Sequence, residues 1–425
     1  MQRIKTKPAR YKMEKSMTAK RLNIWCASCA LIVLFTMIFF SPNQYISDEP
    51  FYINNLALFG NLGLGKDFLL HMTHQSPGPL YQVVLASFGT LCPVTPVSMR
   101  FLNGLLFLLL TGITYLFFKN RKEEDPAGAA LILLSVPPLW GLAGVGLSEL
   151  PAMMFFSLGL FLFYKSISKE SNGFASYLLA LLGGFCISLA IMGRAQFLML
   201  LVTTPLLFLV KGKFKEIILF LVAAAAIPLY VFGLWKGLMP PAAQHIQRGT
   251  VYMHGFLALG YLAIITLIIC HRWLLLPRRF YYLGIVLTVC ACVVNILGHF
   301  IAYEPLQTVV HRLQISELMP GYKYVAPGMI VGAGSFFLIA SCYRIWENRS
   351  DIWFVFFFLT GLALVATSIK ITWVFSSRYV AQAIPVLLIP YARYISNNYI
   401  SWLLRIAGIA FGIAGLWSYY HYRIL

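Results

Sequence analysis

The chain has 425 residues, of which 60% are apolar and only 11% charged, and its formal net charge is +19. Soluble domains average about 45–50% apolar and about 25% charged residues, so this composition excludes a soluble protein and leaves no room for a separate soluble domain. In a membrane protein, the excess of Lys and Arg indicates cytoplasmic loops rather than nucleic-acid binding.

The N-terminal segment predicts a cytoplasmic anchor. Residues 1–21 carry eight Lys or Arg side chains and one Glu, which suits contact with anionic lipid on the inner side of a membrane. The apolar run 22–40 is too long and bulky for a signal-peptide core, and no small-residue cleavage site follows it. We therefore expect a retained first span.

Residues 41–98 are predicted to form the first outer loop. The amphipathic run 51–62 predicts a helix lying in the membrane interface. The apolar run 79–91 is short and either spans or lies flat. If it does not cross, Lys and Arg divide as 23 inside and 10 outside; if it crosses, they divide as 17 and 16. The positive-inside rule favours the flat arrangement.

Twelve later apolar runs are predicted spans, at about 99–118, 127–145, 149–166, 175–193, 196–210, 216–235, 253–270, 280–302, 325–343, 352–369, 379–392 and 401–420. With the first span they give about 13 transmembrane helices, starting inside and ending outside. The prediction is one all-α, polytopic integral membrane domain over residues 1–425. This topology places Asp48, Glu49, Glu149, Arg194 and Arg378 on one outer face.

Three acidic residues on that face are candidates for chemistry. Asp48 and Glu49 follow the first span, where a carboxylate can accept a proton from an incoming hydroxyl or amine. They equally suit a helix start, with Asp48 as N-cap and Glu49 in the first turn. Glu149 after Ser148 opens a later span, and capping competes with function there too.

Cations on the outer face suggest an anionic ligand. Arg378-Tyr379 opens a late span, with Lys370 just before it and no acid nearby in sequence, so a phosphate is a plausible partner. Snorkelling of the side chain to the interface is the alternative, and it is favoured for Arg194 and Arg100. The stretch from His74 to Tyr81 contains Pro77-Gly78-Pro79 and is either a site or a simple loop-to-helix junction.

Other classes find little support. No phosphate-binding loop, dinucleotide fingerprint, serine-hydrolase elbow or metalloprotease motif occurs. Isolated histidines lack metal-ligand spacing, and Cys26 and Cys29 lie within an apolar span. The helix centres are almost free of charge, which disfavours a proton-coupled transporter.

Six segments, taken in chain order, resemble the C-type glycosyltransferase superfamily, in the branch of protein O-mannosyltransferases and bacterial enzymes that add aminoarabinose or other sugars to lipopolysaccharide. The segments are SDEPFY, HQSPGPLY, SMRFLNGLLFLLLTGITYLF, GLSELPAMMFF, IMGRAQFL and FSSRYVAQAIPVLL. The resemblance implies a polyprenyl-phosphate-linked sugar donor, as on undecaprenyl phosphate, and a lipid-linked or cell-envelope glycan acceptor. The composition and the uncleaved first span suit a bacterial inner membrane, with an internal membrane of another cell as the alternative, and the predicted topology places the active site on the periplasmic or outer face.

The resemblance also implies roles for individual residues. Asp48 is the general base of an inverting transfer, and Glu49 supports it or binds the sugar or acceptor. The substrate-binding residues that we expect are Glu149, Arg378, Tyr379, Lys370, His74, Tyr81 and Arg194. His74 is separated from the prolines by Gln75 and Ser76, unlike in the family's motif. No Asp-x-Asp occurs, so we expect no metal or other cofactor. The alternative function is a non-enzymatic flippase or transporter of a polyprenyl-linked sugar.

Overall fold

A computed structural model describes residues 9–73, 78–123, 125–168, 173–210, 212–244, 249–312, 314, 321–372 and 374–422. Within these ranges the regular elements are helices, and the predicted all-α, polytopic membrane fold is confirmed. The apolar composition explains this architecture, because a backbone in lipid must satisfy its hydrogen bonds within each spanning segment.

The α-helices, in chain order, are α1 (Ala9–Phe39), α2 (Glu49–Leu62), α3 (Lys66–His71), α4 (Leu80–Gly89), α5 (Pro96–Asn120), α6 (Pro126–Leu131), α7 (Pro137–Gly144), α8 (Glu149–Ile167), α9 (Phe174–Gly193), α10 (Met199–Thr203), α11 (Phe214–Trp235), α12 (Tyr252–Cys270), α13 (Arg278–Gly298), α14 (Gln307–Arg312), α15 (Tyr322–Glu347), α16 (Ile352–Ala366), α17 (Arg378–Ala381), α18 (Ile384–Tyr391) and α19 (Tyr399–Tyr422). Short 3₁₀ helices extend or join them at Ile132–Ser135, Ala195–Leu198, Thr204–Leu209, Pro241–Ala243, His271–Leu274, Thr367–Lys370 and Ala392–Tyr394.

Ten helical segments of the described chain are long and apolar enough to cross a membrane, or eleven if the bent pair α6 and α7 counts as one span. The expected count of about 13 is not confirmed by this measure. The remaining two predicted spans, 196–210 and 379–392, are broken into short helices. Pro205 and Pro385 lie in the first turn of the helical segment that follows each break, where a proline cannot donate to the preceding turn.

Both interrupted stretches nevertheless join opposite ends of the bundle. The stretch 196–210 follows Arg194, which lies beside the start of α8. It leads to Glu216 in α11, and Glu216 accepts a hydrogen bond from Ser176 at the start of α9 (2.9 Å). The second begins at Arg378 and ends at Tyr391, whose hydroxyl lies 3.0 Å from that of Thr266 in α12. Below, the end of the bundle where α1 ends and α5 begins is called the site end.

The first loop lies across the site end. Arg100, in the first turns of α5, donates to the hydroxyl of Ser41 just after α1 (2.9 Å), so residues 41–98 leave and return at the same end. The ten-residue α4 therefore does not cross the bundle. Farther along the loop, the carbonyl of Leu69 accepts a hydrogen bond from Trp235 at the end of α11 (2.8 Å). The run 51–62, predicted to be helical, lies in α2.

The antiparallel helices α8 and α9 pack closely because glycines face each other. A Cβ added to Gly159 would lie 2.8 Å from the carbonyl oxygen of Gly183, closer than real side chains approach. Small residues of this kind allow membrane helices to bring their backbones together. This packing places Glu149 at the start of α8 next to Arg194 after the end of α9.

A sharp bend between α6 and α7 brings further backbone groups to the site end. The two helical segments meet at 79° around Val136, directly before Pro137 and Pro138. Proline cannot donate to the preceding turn, which explains the break. The chain after α7 then places the backbone amide of Gly146 beside the first loop.

Candidate functional site

Asp48 lies between α1 and α2 and pairs with a distant residue. It occupies the N-cap position of α2, yet its side chain makes no capping hydrogen bond. Its Oδ2 instead accepts a hydrogen bond from Nη1 of Arg378 at 2.8 Å. Capping therefore does not account for this carboxylate. The acid partner of Arg378, which is absent from the neighbouring sequence, lies 330 positions away in the chain.

Glu149 links this pair to a second arginine. It is completely buried at the start of α8, where it forms an ion pair with Arg194 and lies 3.6 Å from Nε of Arg378. Ser148 makes no capping hydrogen bond there. Asp48, Arg378, Glu149 and Arg194 thus form one chain of alternating charges, which we call the four-charge cluster. Its formal charge sums to zero.

The four side chains of the four-charge cluster differ in their exposure to the surface. The Asp48 side chain is 34% exposed and that of Arg378 is 17% exposed, whereas Glu149 is 0% and Arg194 8% exposed. A ligand can therefore reach Asp48 and Arg378 first. Glu149 and Arg194 form the buried part of the cluster, and Glu149 contacts Arg378 from the interior of the protein. The sequence alternative of snorkelling is wrong for Arg194, since its guanidinium is buried against a carboxylate.

Some buried polar atoms of the four-charge cluster have no hydrogen-bond partner among the residues that the structure describes. Within the described ranges, Nε of Arg194 and Nε of Arg378 have no hydrogen-bond partner, whereas the Glu149 carboxylate is contacted by both arginines. Buried polar atoms are nearly always hydrogen-bonded in folded proteins, and exceptions call for an explanation. Arginine donors that have no hydrogen-bond partner are suited to take up an ionic ligand.

Glu49, next in sequence to Asp48, has a different environment. Its carboxylate is completely buried against Arg100, with Nη2 to Oε2 at 2.7 Å. The same carboxylate accepts hydrogen bonds from the backbone amides of Ile46 (2.9 Å) and Gly146 (2.8 Å). Arg100 also donates to the carbonyl of Pro42, so snorkelling is wrong for it as well. The pair fastens the first loop to the segment that precedes Glu149.

The backbone separates the two neighbouring carboxylates. Ser47 has φ = 55°, in the left-handed region that costs a non-glycine residue about 1–3 kcal/mol. Such conformations persist where surrounding contacts hold them, and here Glu49 bonds back to Ile46 on the other side of Ser47. As a result, Asp48 contacts Arg378 while Glu49 contacts Arg100.

Two tyrosines support the cluster from the first loop. Tyr52 is buried in α2, and its hydroxyl lies 3.1 Å from that of Ser148, directly before Glu149. Burial raises the pKa of the Tyr52 phenol well above its usual value, so it stays neutral. Tyr81 packs edge-on against Tyr52 and donates to Oδ1 of Asn103 (3.1 Å). Its hydroxyl is thus engaged within the protein.

Asn103 is a residue that the sequence interpretation missed. Its Nδ2 donates to three carbonyl groups, that of Leu142 in α7 (3.2 Å) and those of Val145 (2.8 Å) and Leu147 (2.8 Å) between α7 and α8. The sequence did contain a signal for it, because Asn103 is a polar amide within the apolar run of α5. Placing such a side chain in lipid is energetically unfavourable unless it has a hydrogen-bond partner.

The remaining predicted residues are less closely tied to the cluster. Tyr379 packs beside Arg378, whose guanidinium carbon lies 5.5 Å from the ring centroid. Lys370 is exposed, and no contact joins it to the cluster among the residues with described positions. His74 lies outside the described residues. Gly78, by contrast, packs so tightly against the carbonyl of Met192 that a Cβ there would clash.

In the described part of the chain, no group of three His, Cys, Asp or Glu side chains is arranged to hold a metal ion. Metal independence itself stays a prediction.

Comparisons with known proteins give a limited result. No family model and no curated protein sequence matches the chain. Two solved structures are similar to the chain. The crystal structure of ArnT from Cupriavidus metallidurans in the apo state has a TM-score of 0.44 and 15% identity, covering 95% of this chain and 78% of that one. ArnT from the same organism bound to undecaprenyl phosphate has a TM-score of 0.41 and 15% identity, covering 87% and 77%.

Proposed function

We propose that this protein is a membrane glycosyltransferase that moves a sugar from a polyprenyl-phosphate-linked donor to a lipid-linked or cell-envelope glycan acceptor. The observation that carries the proposal is the four-charge cluster, in which a partly exposed carboxylate and a partly exposed guanidinium are joined at 2.8 Å across 330 positions of sequence. This arrangement suits a reaction in which the carboxylate accepts a proton from the acceptor while the guanidinium stabilises the departing phosphate.

The donor phosphate would bind at Arg378. The sugar phosphodiester carries one negative charge, which competes with Asp48 for the same guanidinium. Glu149 would hold Arg378 in place through the contact to Nε at 3.6 Å while Nη1 changes partner. Donor binding would therefore free Asp48 from its ion pair at the moment when a base is needed.

Asp48 would then accept the proton of the acceptor hydroxyl or amine as that group attacks the anomeric carbon. The bond between the anomeric carbon and the phosphate oxygen breaks, and polyprenyl phosphate leaves with a second negative charge that Arg378 stabilises. Displacement in one step inverts the anomeric centre. General base catalysis of this kind contributes about 10²–10⁴-fold in rate.

Glu49 would act by positioning rather than by contact with substrate. The Glu49 carboxylate is completely buried, and it accepts its hydrogen bonds from Arg100 and from the backbone amides of Ile46 and Gly146. Tyr81 and Arg194 would likewise support the site from inside. The proposed location is a bacterial inner membrane, which the apolar composition and the first span suit. The positive-inside count supports a site end that faces the periplasm.

The test is a transfer assay on the purified chain in nanodiscs. A panel of polyprenyl-phosphate sugars is supplied with and without membrane glycolipid extract, and free polyprenyl phosphate is followed by mass spectrometry. Asp48→Asn is compared with Asp67→Asn, which removes an exposed carboxylate of the same loop. Release that needs the extract and disappears only in Asp48→Asn supports the proposal. Donor binding without release from any donor favours a carrier instead.

A further inference from the structure

The opposite end of the bundle contains a cavity that the proposed function does not use. It has a volume of about 30 Å³ and lies between α1, α6 and α19. Most of its lining is apolar, from residues such as Ala27 and Ile409. The polar groups that line it are Asn23, Ser135 and Arg405.

Arg405 is the unusual member of this lining. It is only 4% exposed, and no carboxylate lies within ion-pair distance of it among the described residues. Its Nη1 and Nη2 donate to Oδ1 of Asn397 (3.1 Å) and the carbonyl of Ser396 (2.7 Å), whereas Nε has no partner there. A buried charge without a counter-charge is costly, so a site of this kind calls for an anion.

The nearest acid does not supply that anion. Asp125 accepts hydrogen bonds from the amide of Gly128 (3.1 Å) at the start of α6 and from Asn23 (3.4 Å). Asn23 therefore both lines the cavity and contacts Asp125, which is not among the lining residues. The carboxylate caps a helix and lies beyond ion-pair distance of Arg405, so it acts on that guanidinium only at longer range.

The place of the cavity identifies the chemistry of the anion. Ile406, which lines it, is 51% exposed on the outside of the bundle, so the cavity opens toward the membrane. Asn23 is near the start of the α1 span, and Arg405 is the seventh residue of α19, roughly 9 Å along the helix at about 1.5 Å per residue. This depth matches the headgroup and glycerol region of one leaflet.

The volume of the cavity limits which ligands can bind in it. About 30 Å³ holds roughly two water-sized groups, which is too little for a sugar or a nucleotide. It suffices for phosphate oxygens that reach in while the rest of a lipid stays outside against the apolar residues. We propose that Arg405 and Asn23 bind the phosphodiester of an anionic phospholipid at the end of the bundle opposite the four-charge cluster.

The experiment measures binding of dioleoyl phosphatidylglycerol to the full chain in mixed micelles, by native mass spectrometry. Arg405→Gln is compared with the wild type and with Arg349→Gln, which removes an exposed cation. Loss of a charge-assisted hydrogen bond is expected to weaken binding roughly ten-fold or more in Arg405→Gln alone. Equal affinity in all three proteins overturns the proposal.

A second variant covers the case in which Arg405→Gln does not fold. Ile406→Trp keeps the arginine and narrows the mouth of the cavity at a half-exposed position. We expect it to lose lipid binding to a similar extent, and full binding by this variant would contradict the site. Competition by millimolar inorganic phosphate against the lipid would show a free-anion site and overturn the lipid assignment. Because the transfer site lies at the other end of the bundle, failure here leaves the proposed transferase activity unaffected.

Discussion

The pair of Glu49 and Arg100 gives the most specific prediction about how the site is held. Glu49→Gln removes the negative charge opposite a completely buried guanidinium. Its amide nitrogen would also face donors, since Arg100, Ile46 and Gly146 all donate to the native carboxylate. Breaking one partner of a buried ion pair costs about 3–5 kcal/mol, so we expect the unfolding free energy to fall by about that amount.

The assay is equilibrium unfolding in mixed detergent micelles, with Glu123→Gln as the matched control. Glu123 pairs with Arg121 at 3.3 Å, where both side chains are partly exposed, and such pairs contribute about 0–1 kcal/mol. Adding Arg100→Met to Glu49→Gln should recover part of the loss, because the uncompensated charge disappears. Equal losses in Glu49→Gln and Glu123→Gln would refute the view that this pair fastens the first loop.

Three further outcomes are expected. Arg378→Gln should weaken donor binding roughly ten-fold or more, because a hydrogen bond to a charged group is worth about 1.5–3 kcal/mol, and unchanged affinity in a calorimetric titration would contradict a phosphate site there. Gly78→Ala should lower the thermal midpoint, since the methyl group would overlap the Met192 carbonyl, whereas Gly60→Ala meets nothing within 4 Å and should not. Transfer should continue in excess chelator, and a loss restored by a divalent ion would defeat metal independence.

The fold class could be predicted from sequence because composition and apolar run length respond directly to the bilayer. Helix ends were close where a run is uninterrupted, as in α8, predicted at 149–166 and found at Glu149–Ile167. Prediction failed to locate the breaks in 196–210 and 379–392, because hydropathy averages over prolines. It is the tertiary contacts that show which stretches connect the two ends of the bundle.

The candidate residues were identified better than their partners. Asp48, Glu149, Arg194 and Arg378 could be singled out because charge at the end of an apolar run is unusual. Their pairing could not, since the residues that meet are up to 330 positions apart. Local rules instead suggested capping for Asp48 and snorkelling for Arg194 and Arg100. Glu49 looked equivalent to Asp48 in sequence, yet the left-handed turn at Ser47 gives the two carboxylates different neighbours.

The most direct test of the account separates chemistry from binding at Asp48. Single-turnover transfer is measured at saturating donor in wild type, Asp48→Asn and Asp67→Asn, and donor dissociation constants are measured in parallel. We predict that Asp48→Asn slows transfer by about 10²–10⁴-fold while donor affinity stays the same or rises, because Arg378 loses a competing carboxylate. Asp67→Asn should match the wild type. Transfer at the wild-type rate in Asp48→Asn would contradict the central claim that this carboxylate is the base.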